Sequence, residues 1–313
     1  MDSITHTLAG TLVARAGFSQ RMGKVATVAL TVSAVAPDLD YLLRLGGPQF
    51  YLAEHRGFTH SFTGIAIMAP LLGLLCSRFD PKRRYWAWTS LAALGIGLHI
   101  LLDLFTSFGT MVFYPFSRER YAWDLLFIID PYLSGTIIGG IALSYLLKAR
   151  SALPARLGLL LLSSYVALAA WSHTQALTKV KAEAQARGLQ VLQAAAFPLP
   201  FSPFRWSGVL ETPRAIYQGS FSTLERAPLR FVTHPKVDLN GPLKAAEDEA
   251  IVKFFRWFAR FPIVEVKETN PGLVVEYFDL RFTAFPGRRP FLVQVAFDKK
   301  GHVVRSGFVR PDR

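Results

Sequence analysis

The sequence predicts an all-α multi-spanning membrane domain of five or six helices, followed by a small soluble α+β domain. Three observations support this prediction. Of the 313 residues, 51% are hydrophobic, which is high for a soluble domain with a polar surface. Apolar segments before residue 176 approach the roughly 20 residues that a bilayer core requires. From Phe204 onward the apolar segments become short, aromatic and β-branched, and Pro and Gly interrupt them.

Five apolar runs are long enough, or nearly long enough, to cross a bilayer. They lie at residues 25–43, 62–76, 86–107, 128–147 and 157–175. A shorter apolar stretch at residues 4–14 predicts a sixth membrane helix. We therefore predict a membrane-embedded domain at residues 1–175, an Ala-rich helical linker at residues 176–203 and an extramembrane α+β domain at residues 204–313.

The C-terminal domain is predicted from aromatic and β-branched runs separated by turn residues. One helix is expected at residues 243–261, where large apolar side chains recur at helical spacing. Lys299, Lys300 and Gly301 are expected to form the turn of a hairpin. The predicted strands lie at residues 205–211, 215–224, 263–268, 273–284, 291–298 and 302–309.

The net charge of +13 suggests nucleic acid or anionic lipid as a partner. Positive residues of the last domain are scattered, so we expect no nucleic acid and take the lipid bilayer as the partner. In the membrane half, the basic residues concentrate in alternate loops, which the positive-inside rule assigns to the cytoplasm. They are Arg15, Arg21, Lys24, Arg78, Lys82, Arg83, Arg84, Lys148, Arg150 and Arg156, whereas the opposite loops hold Arg44, Arg56, Arg118 and Arg120. This orientation predicts an extracytoplasmic C-terminal domain.

Histidine and aspartate residues accumulate in the first 130 positions, where ionisable groups within a membrane are costly and usually functional. Two pairs, Asp2 with His6 and His99 with Asp103, are four residues apart. Each pair therefore lies on one face of a helix and can share an ion. The nine candidate positions are Asp2, His6, Asp38, Asp40, His55, His60, His99, Asp103 and Asp124.

Two of the candidate segments are irregular. Pro37 is expected to end or kink a membrane helix and to place Asp38 and Asp40 at a membrane boundary. Residues 55–61 combine two imidazoles and Arg56 with a glycine turn, just before an apolar helix that Thr59 or Ser61 can cap. Backbone donors at that helix start, together with Arg56, suit a phosphate or another oxyanion.

Depth in the membrane brings these segments together. Asp38 and His99 each lie 13 residues after the start of an outward-running span, at Val25 and Trp86. At a rise of roughly 1.5 Å per residue, both reach about 20 Å across the bilayer. His6 joins them only if the first helix runs inward from the outer face. We therefore predict six membrane helices, with Met1 and the site on the extracytoplasmic side.

Several residues have a structural interpretation that competes with a functional one. His173, His234 and His302 are isolated and are expected to be capped or solvated. Asp2 and Asp130 can serve as helix caps, and Arg118 and Arg120 can anchor the chain at the membrane interface. The single cysteine, Cys76, excludes an internal disulfide and a Cys-based zinc site.

The motifs Met1-Asp2-Ser3-Ile4-Thr5-His6, Pro37-Asp38-Leu39-Asp40, residues 55–61 and His99-x-x-x-Asp103 resemble those of the YdjM-like family, membrane-bound proteins described as metal-dependent hydrolases. The resemblance covers roughly residues 1–175 and implies a bacterial inner-membrane location. It does not supply a substrate.

A more remote similarity is to helical zinc-dependent phospholipases C and single-strand nucleases. It implies that Asp38 or Asp40 bridges metals or acts as a base, and that His6, His55 or His60, His99 and Asp103 are ligands. The chain departs from that pattern because no His-x-x-x-Glu pair follows His99, which leaves Asp124 as the nearest substitute.

The resulting prediction is a membrane-bound hydrolase that acts on a phosphoester or lipid-like substrate through a metal-activated water. The expected cofactor is a divalent metal, zinc first, with one or more ions. The predicted catalytic residues are Asp38, Asp40 and Arg56, and the predicted metal ligands are His6, Asp38, Asp40, His55, His60, His99 and Asp103. Two alternatives remain: a metal-handling transporter, and an anchored protein that binds a partner through its C-terminal domain.

Overall fold

A computed structural model describes residues 1–147, 152–238, 240–269 and 272–309. The chain forms two compact units, one of residues 1–43, 54–172 and 200–203, and one of residues 44–53, 173–199 and 204–313. The first unit is helical, and the second contains two antiparallel sheets with short helices. The predicted fold class is therefore confirmed. Lys148 and Arg150, used above for the orientation, lie outside the described residues.

Within residues 1–147 and 152–186, the structure has eight α-helices joined by irregular helical segments. A π-helix at Ala14–Phe18 connects the first two, a 3-10 helix at Ala36–Gly46 follows the third, and a short 3-10 helix at Phe58–His60 precedes the fifth. The α-helices are α1 (Ser3–Val13), α2 (Ser19–Met22), α3 (Lys24–Val35), α4 (Pro48–Glu54), α5 (Phe62–Ser77), α6 (Tyr85–Leu104), α7 (Pro131–Leu146) and α8 (Leu153–Ala186).

Fewer helices have the length of a membrane span than the sequence predicted. Among the described residues, Lys24–Gly46, Tyr85–Leu104 and Leu153–Ala186 are long and apolar enough, and a fourth span results if Pro48–His60 and Phe62–Ser77, bent by 63°, cross together. Helix α1 has 11 residues and α7 has 16. Helix α7 starts late because Asp130 caps it and Pro131 occupies its first turn.

The stretch predicted to be a helical linker forms the end of a helix and then a β-strand. Helix α8 continues without a break to Ala186, and strand β1 (Gln193–Pro198) follows it. The sequence Gln-Ala-Ala-Ala-Phe-Pro has little β propensity, but pairing with the next strand and burial of Ala195, Ala196 and Phe197 outweigh that preference.

The second unit contains two four-stranded meanders. One has the order β1-β2-β3-β4 and the other β5-β6-β7-β8. Phe197 and Val209 of the first sheet share a core with Ile263 and Phe278 of the second. The remaining strands are β2 (Arg205–Glu211), β3 (Ala215–Ser222), β4 (Val232–Pro235), β5 (Pro262–Thr269), β6 (Gly272–Asp279), β7 (Val293–Phe297) and β8 (Val303–Phe308).

Most of the local predictions for this unit are confirmed. The hairpin turn between β7 and β8 forms as predicted, with Gly301 at a φ of 82° and the Asp298 side chain accepting from the backbone N–H groups of Lys300 and His302. The single predicted helix is two helices, α9 (Pro242–Asp248) and α10 (Ala250–Phe258), because Glu249 has an extended backbone. Strands β1 and β4 were not predicted.

Asp80 is the one acidic residue in the basic loop between α5 and α6, and it organises that loop. It accepts hydrogen bonds from the Arg84 guanidinium, from Trp88 Nε1 and from the backbone N–H groups of Lys82 and Arg84. The Arg84 side chain, more than any other group, holds the pKa of Asp80 below its usual range. Its position among cations is therefore structural.

Two glycines allow α1 and α6 to approach α3 closely. A Cβ atom at Gly10 would lie 2.7 Å from Ala34 Cβ, and one at Gly95 would lie 2.7 Å from Ser33 Cβ. Each glycine is four residues from a candidate ligand, His6 on α1 and His99 on α6, so it shares the helix face of that histidine. Small residues at helix contacts are typical of membrane proteins.

We expect Gly95→Val to destabilise the protein by roughly 1–3 kcal/mol, because overpacking forces the backbone of α3 and α6 apart. Gly97→Val on the same helix is the matched control, since a Cβ at Gly97 meets no atom within 4 Å. Thermal unfolding in detergent measures both variants. Equal losses for the two would contradict the role given to Gly95.

Candidate metal centre

Four separate segments bring six His and Asp side chains together inside the first unit. His6 comes from α1, Asp38 and Asp40 from the 3-10 helix after α3, His60 from the 3-10 helix before α5, and His99 and Asp103 from α6. The three histidines are fully buried, Asp103 is 1% exposed, and Asp38 and Asp40 are 7% and 8% exposed. The sequence prediction that these residues meet is borne out by the structure.

Four atoms of this cluster form a compact cage. The Nε2 atoms of His60 and His99 are 3.0 Å apart. Asp103 Oδ2 is 3.4 Å from the first nitrogen and 3.6 Å from the second. Asp38 Oδ1 is 3.9 Å and 3.6 Å from the same two atoms. Two nitrogens and two carboxylate oxygens thus point at one small volume.

The cage fits a divalent metal ion. Four ligand atoms bonded tetrahedrally at about 2.0–2.2 Å lie roughly 3.3–3.6 Å from one another, and the five separations given above, from 3.0 to 3.9 Å, bracket that range. Asp103 Oδ2 is also buried without a hydrogen-bond partner, an unfavourable state for a carboxylate oxygen unless a cation faces it. The cluster can therefore hold a metal ion. In three overlapping groups of its residues the ligand atoms lie within 4.8 Å of one another: His6 with Asp38 and His99, His60 with His99 and Asp103, and Asp38 with Asp40 and His60.

Protein groups hold the other ring nitrogen of each caging histidine. His99 Nδ1 is 2.7 Å from the backbone oxygen of Ala34, to which it can donate its proton. His60 Nδ1 is 2.9 Å from Thr59 Oγ1 and 3.3 Å from Asp40 Oδ2. Such contacts fix the tautomer, so that Nε2 carries the lone pair that a metal needs.

The caging carboxylates are oriented in the same way. Ser3 Oγ donates to Asp38 Oδ2 over 2.5 Å, which leaves Oδ1 for the cage. Asp103 Oδ1 faces Arg56 Nη2 at 2.8 Å, His6 Nε2 at 3.2 Å and the amino group of Met1. Each of the four side chains thus presents one atom inward while the protein binds its second polar atom.

Asp40 anchors the loop that carries His55 and His60. It accepts from His55 Nδ1 at 2.8 Å, from the Arg56 backbone N–H at 3.0 Å and from Thr59 Oγ1 at 3.1 Å. His55 lies outside the three groups with metal-ligand spacing and meets the cluster through Asp40. Asp40 is thus saturated by protein donors, and it orients His60.

His6 lies at the edge of the cage. Its ring stacks on that of His99, with the centroids 3.6 Å apart and an interplanar angle of 16°. Its Nε2 faces Asp103, and its Nδ1 is buried without a hydrogen-bond partner. Helix α1 begins beside the cluster, as the sequence analysis required for His6 to join it.

Arg56 is 2% exposed and lies against the cluster. Besides the ion pair with Asp103, its Nη1 donates to Thr106 Oγ1 at 3.0 Å. A backbone φ of 59° places the residue in the left-handed region. The guanidinium therefore compensates the charge of Asp103 here, and its binding of a substrate anion stays a prediction.

The other candidates fall outside the cluster. Asp2 caps α1 by accepting from Thr5 N–H, and Asp130 caps α7. Asp124 is 5% exposed and belongs to none of the metal-ligand groups. Arg118 pairs with Glu54, and Arg120 donates to the backbone oxygens of Gly109 and His55. His173 packs near Trp206, His234 is half-buried and His302 is exposed.

Sequence reasoning did not identify the orienting partners. Ser3, Thr59 and Thr106 are ordinary hydroxyl residues, and the Ala34 carbonyl carries no side-chain signal at all. Ser3 and Thr59 each lie within three residues of a candidate ligand, so their position in the motifs was the only available indication.

These features define a helical membrane protein with a buried His/Asp centre able to hold metal, followed by a soluble α+β unit. Residues 1–176 match the family of YdjM inner membrane proteins, and the chain belongs to that family. It is 26% identical over 330 residues to the uncharacterized protein YfhP of Bacillus subtilis (strain 168), an alignment that covers 98% of this chain and 94% of YfhP. No solved structure matches the chain.

Asp40→Asn is expected to weaken Zn²⁺ binding roughly 10–100-fold, as is typical for the loss of a partner that orients a ligand. His60→Ala and His99→Ala should weaken it further, because each removes a ligand atom. Titration of the metal-free protein against a competing chelator measures these affinities, with His302→Ala as the control. Unchanged zinc binding in both histidine variants would contradict the cage.

Proposed function

We propose that this protein is a metal-dependent hydrolase embedded in the membrane, and that it cleaves a phosphoester bond. The observation that carries the proposal is the four-atom cage of His60, His99, Asp38 and Asp103, in which each side chain is held so that one lone pair faces a common point. Zinc is the proposed ion, because two imidazoles and two carboxylates are among its usual ligands.

A divalent ion bound there would lower the pKa of a water molecule and polarise a phosphoryl oxygen. The protein residues divide the remaining work. Arg56 and Thr106 fix Asp103, and Ser3 fixes Asp38. Asp40 holds the loop of His55 and Arg56 against the ligands, so a substrate phosphate approaching this loop would meet a cationic side chain close to the ion. Asp38, the more exposed of the two cage carboxylates, is the proposed base, whereas Asp40, whose oxygens are taken by protein donors, orients His60.

A screen of phosphomonoesters and phosphodiesters with added Zn²⁺ or Mn²⁺ tests the proposal on the purified full chain. We expect metal-dependent release of product, and a loss of at least about 100-fold in kcat/KM for His99→Ala, since oriented metal chemistry contributes several kcal/mol. His302→Ala, an exposed histidine of the second unit, should retain full activity. Tight zinc binding without hydrolysis of any substrate in the screen would contradict the proposal.

Deep burial of the ligands also favours a metal site that performs no hydrolysis. Such a site could be structural, because closed four-ligand sites often are, or it could serve ion transport, as intramembrane His and Asp residues do in other proteins. Reconstituted vesicles separate these cases. Uptake of metal without hydrolysis would indicate a transporter, whereas a fall in melting temperature on chelation, with neither uptake nor hydrolysis, would indicate a structural ion.

We also propose that the cluster and the C-terminal unit lie on the extracytoplasmic side. The basic residues Arg15 and Arg21 lie between α1 and α3, and Lys24 is the first residue of α3. All three are at the ends of these helices remote from the cluster, and Arg84 immediately precedes α6. Positive-inside orientation then assigns the cluster end to the outside.

A reporter enzyme that works only after export, fused after Arg313, is expected to be active. The same reporter fused within the loop at residues 80–84 should be inactive, because that loop carries the basic residues. An active loop fusion with an inactive C-terminal fusion would invert the orientation.

A further inference from the structure

An exposed apolar stripe runs along the segment that carries Asp38 and Asp40. On α3 it comprises Val25, Val28 and Val32, with exposed fractions of 40%, 62% and 47%, and on the 3-10 helix it comprises Leu39 and Leu42, with 66% and 67%. Steps of three and four residues follow one face of an α-helix, and a step of three follows one edge of a 3-10 helix. The two groups belong to one continuous segment, because the 3-10 helix follows α3 directly.

Lipid is the occupant that the structure indicates for this stripe. Lys24–Gly46 is long and apolar enough to cross a membrane, so Leu39 and Leu42 continue the face of a spanning segment. In water each such leucine would cost up to about 1.5–3 kcal/mol relative to burial, whereas acyl chains remove that cost. In a bilayer the exposed apolar face of this segment would therefore contact acyl chains. Lipid headgroups would lie beyond the end of that face.

The least buried residues of the candidate metal centre lie beside this stripe in the sequence. Leu39 stands between Asp38 and Asp40, the members of the cluster that retain 7% and 8% exposure, while His60, His99 and Asp103 retain 1% or less. The least buried side chains of the cluster therefore flank Leu39, a residue of the apolar stripe. A water-soluble phosphoester would have to displace lipid there, but a lipid would present its own headgroup at that level.

We propose that the substrate class is a membrane phospholipid, which reaches the cluster laterally from the bilayer with its acyl chains along Val32, Leu39 and Leu42. This assignment rests on the proposed hydrolase function. In the reaction the oxygen of water bonds to phosphorus and the bond from phosphorus to one ester oxygen breaks. A water proton ends on that oxygen, which gives an alcohol and a phosphate monoester.

Two substrates of the same reactive group test the proposal in lipid nanodiscs: a nitrophenyl phosphodiester with a diacylglycerol tail, and the soluble bis(nitrophenyl) phosphate. We expect the wild type to prefer the lipid substrate. Leu39→Ser should lower kcat/KM for the lipid at least tenfold and leave that for the soluble diester within twofold. Leu71→Ser is the matched control, since Leu71 on α5 is 62% exposed and distant in sequence from every cluster residue.

A second measurement does not depend on activity. Cys76 is the single cysteine, so Leu39→Cys in a Cys76→Ser background accepts one spin label. Collision of the spin label with oxygen, which concentrates in lipid, should exceed its collision with a water-soluble nickel chelate.

A label that lies in water, together with hydrolysis of the soluble diester, overturns this inference and leaves the proposed function standing. A label in lipid, with hydrolysis of neither diester, overturns the proposed function and the substrate class with it. Equal losses on both diesters in Leu39→Ser also overturn the inference, because they indicate structural damage.

Discussion

The structure of the first unit depends on compensating two buried carboxylates, Asp38 and Asp103, whose oxygens face the same small volume. A buried carboxylate is costly unless charge and hydrogen bonds compensate it, and the cost rises within a membrane. Arg56 and Ser3 each satisfy one oxygen, but the two inward oxygens face only imidazole nitrogens that themselves supply lone pairs. A cation at that point would offset the repulsion between the two carboxylates, which is the physical basis for proposing a metal ion there.

Much of the site was predictable because the residues that bind a metal carry their own sequence signal. The four-residue step from His99 to Asp103, and the position of Asp38 and His99 at equal depth in two spans, follow from helix geometry alone. What could not be predicted is which polar residue is a ligand and which only orients one. Asp40 and His55 have the same chemistry as Asp38 and His60, and their different roles depend on hydrogen bonds that form only when residues 36–46 and 55–61 meet.

The fold was predicted where periodicity and burial agree, as in α3, α6 and β2, and was missed where tertiary contacts override local preference. Strand β1 is rich in alanine, which favours helices, yet pairing with β2 makes it a strand. Helix α7 looked like a full span by hydropathy, but Asp130 and Pro131 define a later start than an apolar run can show. For β1 the decisive partner lies outside the segment itself, whereas for α7 two residues inside the apolar run, a capping aspartate and a proline, set the start of the helix.

The two irregular segments of the membrane unit lie at the site for a physical reason. Unpaired backbone groups are tolerated at membrane depth only where protein groups satisfy them. Where α4 and α5 break apart, the N–H of Arg56 donates to Asp40, the N–H of Gly64 to Ser61 Oγ, and the N–H of Phe62 to the Val112 carbonyl. The carboxylate of Asp40 therefore satisfies a backbone N–H group at the break between α4 and α5. The same N–H group helps to compensate the buried charge of Asp40. Because the same break turns His60 toward His99, a continuous helix through residues 48–77 would satisfy its own backbone and leave the cage without one of its nitrogens.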